Sequence, residues 1–470
     1  MTDGPVAVVV SEADRASEHI AERLLADGDW ETHDDDTRPP ATGGGTVHRS
    51  TDTHVPLELR TFESLHLDID RPAAAFDADP RVVVFASRHS GDTGRLLTCH
   101  FTGNFGDAEY GGTNRSFAPA APGVQRDLVA AFDAYAPDDY GVAVECTHHG
   151  PTDVSVPSIF AELGSDESAW DDPAGATAVA QAIRSLATDA VTGAPATAAV
   201  GETPRHLLGV GGGHYAPRFE RVLRETAWGV GHVASTWQLS ELGDPADHVE
   251  TLERAVAATD AVAVLAGQDG DNAAAALAEA GVRVVSETWV RAVGDRPLAL
   301  VEACESALCP VAEGLRFGAV CDPEFESVTL PTELLAAARR VDPEATRQAV
   351  FDRAVAVVTE ENGNRVGDRA AFPVSDGDDS AATGDGPPAA YDAVVDALVA
   401  RLRGAHDTVE RREESVVVER ATFDPAAART LDVPEGPKFG KLADGQPVTV
   451  DGETIHPETV QRRDRETFPI

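Results

Sequence analysis

Short valine-rich apolar runs alternate with helix-spaced stretches over roughly the first 300 residues, and this alternation restricts the fold more than any other feature of the chain. Val6-Ala-Val-Val-Val10, Val82-Val-Val-Phe85, Val142-Ala-Val-Glu-Cys146, Leu207-Leu-Gly-Val210, Ala261-Val-Ala-Val-Leu265 and Val282-Arg-Val-Val285 read as strands, and Ala198 to Val200 opens another. Between them, Ser11 to Ala26, Asp127 to Tyr135, Ala174 to Ala187, Pro217 to Glu225 and Asn272 to Ala280 carry helical spacing, the first through Ile20, Leu24 and Leu25. Runs that are apolar throughout, without a polar alternate, belong to strands covered on both faces. The expected fold is therefore α/β, with a mixed, largely parallel sheet sandwiched by helices and a smaller α+β carboxyl-terminal region. Residues 1–303 are expected to form the α/β domain, with acidic surface insertions at Asp27–Gly45 and Gly164–Gly175. A helical extension is expected over 304–366, including Leu334–Arg340 and Ala345–Val358. A linker over 367–389 and a small α+β region over 390–470, β-like from Gly436 to Glu458, complete the expected organisation.

Composition decides what surrounds this core. Asp and Glu number 80 against 38 Lys and Arg, a net charge of −42, while 42% of residues are apolar, too many for a disordered acidic chain. Such a surface repels itself at low salt, and molar salt shortens the screening length to ~3 Å, so the expected setting is a salt-rich cytosol. In that setting net charge does not exclude a nucleic-acid substrate. No apolar run approaches the ~20 residues that span a bilayer, so no membrane association is expected. Met1-Thr-Asp-Gly-Pro lacks a basic segment and runs at once into the first strand, so no signal peptide is expected. The five cysteines do not suggest a disulfide framework, and Cys304, Cys309 and Cys321 are expected to be core residues.

In folds of this class reactive groups lie on loops leaving the carboxyl ends of strands. Four such loops concentrate His and Gly: Ala86-Ser-Arg-His-Ser-Gly91, Thr98-Cys-His-Phe-Thr-Gly-Asn-Phe-Gly106, Glu145-Cys-Thr-His-His-Gly-Pro-Thr152 and Gly209-Val-Gly-Gly-Gly-His-Tyr-Ala-Pro-Arg218. They hold His89, His100, His148, His149 and His214, and their convergence on one site is expected. A carboxylate three residues before a His pair can bind a divalent metal or orient an imidazole. Its spacing matches no standard zinc signature, so a His-rich turn held by hydrogen bonds competes with the metal reading. The triplet Gly211-Gly-Gly213 before a helix start can approach a phosphate, or it is an ordinary tight turn. Lys438 and Lys441, the only lysines, share one turn, where an ammonium can contact phosphate or serve structure alone.

The last three of these loops, in this order, resemble the archaeal-type D-aminoacyl-tRNA deacylases, a family also found in plants. The resemblance implies hydrolysis of the ester joining a D-amino acid to the 3′ end of tRNA, as translation quality control in the cytoplasm, with zinc as cofactor. It also implies an α/β sandwich related to peptidyl-tRNA hydrolases and nucleoside phosphorylases. On this reading His100, Glu145, His148 and His149 are catalytic candidates, and His148, His214 and Glu145 are metal candidates. Thr102, Asn104, Thr152, Gly211, Gly212, Gly213, Tyr215, Lys438 and Lys441 are candidates for binding substrate. The partner is the D-aminoacyl-tRNA, with the chain acting as a monomer and no stable protein partner. The competing readings are a non-catalytic tRNA- or RNA-binding protein and a phosphorylase- or peptidase-like hydrolase on the same fold.

Overall fold

The computed structural model describes residues 4–188, 205–374 and 388–470, which divide into two compact units, up to residue 295 and from 296 onward. The strand expected at Ala198–Val200 lies outside the described residues. In the first unit eight strands form one sheet: β1 (Val6–Ser11), β2 (Trp30–Asp35), β3 (Gly45–Ser50), β4 (Leu57–Phe62), β5 (Val82–Arg88), β6 (Leu96–His100), β7 (Gly141–Val144) and β8 (Ser158–Gly164). They pair in the order β2-β3-β4-β1-β5-β8-β6-β7. The centre is parallel, while β2, β3 and the β8–β6 pair are antiparallel. Every residue of β1, β6 and β8 is buried, including the polar Thr98, His100 and Glu162. The helices Arg15–Ala26, Pro122–Tyr135 and Pro173–Ser185 turn their apolar stripes onto it, with Ile20, Leu24, Leu128, Phe132, Val179 and Ile183 buried.

A second, fully parallel sheet has the order β10-β9-β11-β12, formed by β9 (His206–Val210), β10 (Gly229–Ala234), β11 (Ala263–Ala266) and β12 (Val284–Val285). The loop after β7 ties the two sheets together: Cys146 N–H donates to His214 O (2.7 Å) and Thr147 N–H to Val233 O (3.0 Å). Gly211 leaves β9 at φ +86°, and a side chain there would collide with the Gln268 carbonyl, so this turn requires glycine.

The segments expected to be insertions belong to the architecture. Asp27–Gly45 contains edge strand β2, and the Gly164–Gly175 stretch contains the buried end of β8 and the short helix Glu167–Trp170. Polar composition suits an exposed edge strand as well as a loop. In the second unit, strands Leu315–Phe317, Ala356–Glu360, Arg365–Pro373 and Phe325–Thr329 form an antiparallel sheet. The expected helix Ala345–Val358 therefore ends at Phe351, and its valines enter a strand, as β-branched residues favour. Arg365–Pro373 is likewise a strand, where a linker from 367 was expected, and residues 375–387 lie outside the described set. Lys438 and Lys441 sit on a short helix, Pro437–Ala443, followed by a hairpin. Of the cysteines expected in the core, Cys304 is buried, Cys309 half-buried and Cys321 exposed.

No described helix is long and apolar enough to cross a membrane. With a net charge of −42, lowering KCl from about 2 M to about 0.1 M extends screening from a few Å to ~10 Å and should loosen the fold. Circular dichroism is expected to lose helical signal on that dilution; an unchanged spectrum would remove the role given to salt.

Candidate active site

Glu145 is the electrostatic centre of the first unit. It follows β7 and is buried, and three side chains reach its carboxylate. His214 Nε2 lies 2.7 Å from Oε2, His89 Nδ1 lies 3.2 Å from Oε1, and the Thr98 hydroxyl donates to Oε1. Glu162, inside buried strand β8, faces the same group: His89 Nδ1 is 3.5 Å and His100 Nε2 3.5 Å from its oxygens. Strand register produces this meeting, because Glu162 lies opposite Ser87 on β5 and Thr98 on β6.

The imidazoles divide into two charge states. Burial opposes a charge on His89, but Glu145 and Glu162 raise its pKa to about 11. Hydrogen bonding to Cys146 Sγ and Glu145 raises His214 to about 10. His100 is also raised, Glu162 overcoming burial. These cations hold Glu145 well below the usual carboxylate range and Glu162 down to about 2, against the burial of both. Burial and the neighbouring His100 charge act in the opposite sense on the His pair, leaving His148 well below its ordinary value and His149 at about 4. The three rings are in contact, His100 stacking on His148 (4.1 Å between centroids) and meeting His149 edge-on (4.8 Å).

Backbone carbonyls select the tautomers of the neutral pair. His148 Nδ1 is 2.8 Å from Cys146 O and His149 Nδ1 2.7 Å from Gly150 O, so each Nδ1 carries the proton and each Nε2 keeps its lone pair. His149 holds a left-handed backbone, φ +46°, a strained conformation for a side-chain-bearing residue that the loop's bonds maintain. Beside these nitrogens opens a cavity of about 400 Å³ lined by His89, Glu145, His148, His149, Glu162 and His214 together with Asn104.

The structure thus brings together His100, Glu145, His148, His149 and His214. It adds His89, noticed in its loop but given no role, and Glu162, which sequence reading missed. The available signal was a lone carboxylate within the apolar run Ser158-Ile-Phe-Ala-Glu-Leu-Gly164. Tyr215 reaches the site indirectly, its hydroxyl 3.2 Å from His89 Nε2. Asn104 lines the cavity, but its amide N–H groups are bound to Gly111 O and Thr113 O. Thr102 is buried and donates to Pro151 O, and Thr152 accepts from Thr113 N–H, so both brace the loops around the site. Gly212 and Gly213 line a separate hollow with Arg218 and Arg221, and Gly211 packs against Gln268 and Gly270. Lys438 and Lys441 belong to the second unit, where the Lys438 ammonium donates to Thr449 O.

His232 supports the Glu145–Thr152 loop from beneath. Fully buried, it is 2.9 Å from Ala118 O through Nε2 and 3.0 Å from the Thr147 hydroxyl through Nδ1, and burial pushes its pKa down to about 4. A histidine that binds its proton more weakly when folded contributes stability above its unfolded pKa of ~6.5, lost as pH falls toward 4. That loss is roughly 3 kcal/mol by pH 4 for this group alone. Raised His89 and His214 act in reverse, their contribution disappearing only as pH rises through about 10 to 11. Denaturant midpoints measured between pH 7 and 4 should fall steeply. His232→Gln, which cannot take the proton, should flatten that fall by about one proton; an equal slope in both proteins would count against this assignment.

Neutral imidazoles with free lone pairs, beside buried carboxylates and an open cavity at strand ends, form a candidate acid–base site on an α/β fold, the kind of arrangement hydrolases use. Comparison with known proteins makes the class specific. A family model described as D-aminoacyl-tRNA deacylase matches residues 76–285. A protein named D-aminoacyl-tRNA deacylase from Haloarcula marismortui is 49% identical over 462 residues, covering 97% of this chain and 98% of its own. Relatives of the same name from Halorubrum lacusprofundi and Methanoregula boonei are 48% and 33% identical, covering 99% and 87% of this chain and 97% and 90% of their own. The crystal structure of a conserved protein of unknown function aligns with a TM-score of 0.52 at 28% identity, covering 62% of this chain and 98% of that one. The chain belongs to the D-aminoacyl-tRNA deacylase family.

Proposed function

We propose that the protein hydrolyses the ester between a D-amino acid and the 3′ end of tRNA, releasing the free D-amino acid and intact tRNA. The observation that carries this beyond the family name is the meeting of five histidines around buried Glu145 and Glu162, which keeps His148 and His149 neutral beside an ionised Glu145. An aminoacyl ester is already activated, so a positioned water and a group to remove its proton meet the chemical need without a covalent nucleophile. His149 is the candidate base: its Nε2 is free, and its Nδ1–H is anchored on Gly150 O. Glu162 raises the pKa of His100, and the charge His100 carries when protonated disfavours protonation of His149. Thr98 and His89 hold the Glu145 carboxylate in place.

Zinc fits the same residues. Glu145, His148 and His214 offer ligand atoms within 4.8 Å of one another, an alternative trio being His100, His148 and His149. His148 presents an unprotonated nitrogen, while His100 Nε2 lies 3.5 Å from a Glu162 oxygen. Binding through His214 displaces the proton it shares with Glu145, so metal uptake should release a proton. When bound there, zinc would supply Lewis acidity to a water at neutral pH. The working setting is a salt-rich cytosol, in keeping with the charge of −42.

The test is release of amino acid from matched D- and L-aminoacyl-tRNA at molar KCl. Hydrolysis of the D-ester with the L-ester spared supports the proposal. Binding of tRNA without release would leave the RNA-binding alternative, and cleavage only of peptides or nucleosides would leave the other.

A further inference from the structure

The mouth of the catalytic cavity carries two aromatic side chains that packing does not explain. Tyr110 is 62% exposed and Trp237 47% exposed, and both line the cavity that holds Glu145, His148 and His149. Among the described residues of this unit, the large aromatics left in water otherwise comprise only Tyr135, at 37%. Their backbones are held: Tyr110 O accepts the Gly150 N–H at 3.0 Å, one residue from His149, and Trp237 lies in the helix Thr236–Leu242. The two exposed rings therefore stand at the same cavity as the reacting groups.

Charge at the same mouth narrows what can lie there. Asp107, Glu109 and Glu241 line it, and Arg88 is the one Arg or Lys among the lining residues. Beyond Arg88, the cations here are His89 and His214, already paired with Glu145, so a phosphate chain finds little to neutralise it, and in molar salt the counterion-release contribution to affinity is largely exhausted. The π-face of a nucleobase carries no net charge, and stacking on an aromatic ring is worth about 1–3 kcal/mol per base.

We propose that Tyr110 and Trp237 form a stacking platform for the unpaired bases at the 3′ end of the tRNA, the terminal base beside the scissile ester foremost, so that affinity comes from stacking in place of phosphate contacts. This rests on the deacylase reading above. It makes the two rings binding residues, with no role in moving protons.

A paired substrate set tests it. D-aminoacyl oligonucleotides ending in CCA are compared with the same esters on an abasic terminal nucleotide, in molar KCl, with the full chain. The base should raise kcat/KM by about 10- to 100-fold in the unaltered protein. Trp237→Ala and Tyr110→Ala should each shrink that advantage severalfold or more, and Trp237→Phe, which keeps a ring face, should restore most of it. The loss should be equal for D-alanyl and D-tyrosyl esters. A loss confined to the large side chain would mean that the rings hold the amino acid, and an undiminished advantage in both alanine variants would likewise overturn the platform. A second readout needs no hydrolysis: the trinucleotide CpCpA should quench tryptophan fluorescence, and Trp237→Phe should abolish the quench. The slope of log affinity against log KCl should stay shallower than the ~0.7 expected per phosphate contact on a single strand. A steep slope, or no quench in the unaltered protein, refutes the platform. Quenching without any D-ester hydrolysis would instead sink the deacylase reading and leave the platform standing.

Discussion

Glu145→Gln is expected to lower D-aminoacyl-tRNA hydrolysis by about 10³-fold, the scale of losing a group that positions the base or the metal. The substitution keeps the shape of the side chain and removes the charge that His89 and His214 share. Both imidazoles then lose one of the partners that raise their pKa, Cys146 remaining for His214 and Glu162 for His89, so each should titrate lower than in the unaltered protein. His148→Ala and His149→Ala should each cost ~10² or more, by removing a free Nε2 from the cavity. His48→Ala and His406→Ala, on strand β3 and after the Ala389–Leu402 helix, serve as controls and should leave hydrolysis within a factor of about two. Single-turnover rates on D-aminoacyl-tRNA decide the matter: full activity in Glu145→Gln would move the chemistry elsewhere.

Arg60→Ala is expected to produce the largest loss of stability, about 3–5 kcal/mol. Arg60 is completely buried on β4, with Nε 3.0 Å from Glu58 and Nη1 2.7 Å from Asp35, and a further bond from Nη1 to Gly43 O. Truncation strands buried Glu58 without its counter-charge and leaves Asp35 with Arg38 alone, and the loss is much larger than for an exposed pair such as Arg412–Glu410. Urea unfolding in molar KCl should show the midpoint shift, and Arg60→Met should stay destabilised because it leaves the same two charges. A shift under about 1 kcal/mol would mean that water reaches these carboxylates after truncation.

Much of the site was legible because local chemistry is written locally. Glu145, His148 and His149 lie within five residues of one loop, and His100 and His214 end or follow apolar strand runs, so the strand-end rule sufficed to group them. Thr102 and Asn104 were legible as site-adjacent but not as loop braces, since their hydrogen-bond partners at Pro151, Gly111 and Thr113 come from other turns. The lysine pair was noticed for its composition, and its placement on a helix followed from Pro437 at the first turn, which a turn-based reading passed over.

From the residue order alone came the α/β class, the parallel centre of the sheet, and the gathering of reactive groups at strand ends, because apolar period and glycine or histidine content act within a few residues. What only tertiary structure decided was who faces whom. The insertion of β8 between β5 and β6, parallel to the first and antiparallel to the second, sets Glu162 against His89, His100 and Thr98, a register set by backbone pairing between segments more than sixty residues apart. The charge states follow from that meeting. Two carboxylates buried together draw protons onto His89, His100 and His214, and the resulting positive charge, with burial, keeps His148 and His149 neutral; desolvation and Coulomb interaction depend on distance in space, which no spacing along the chain encodes.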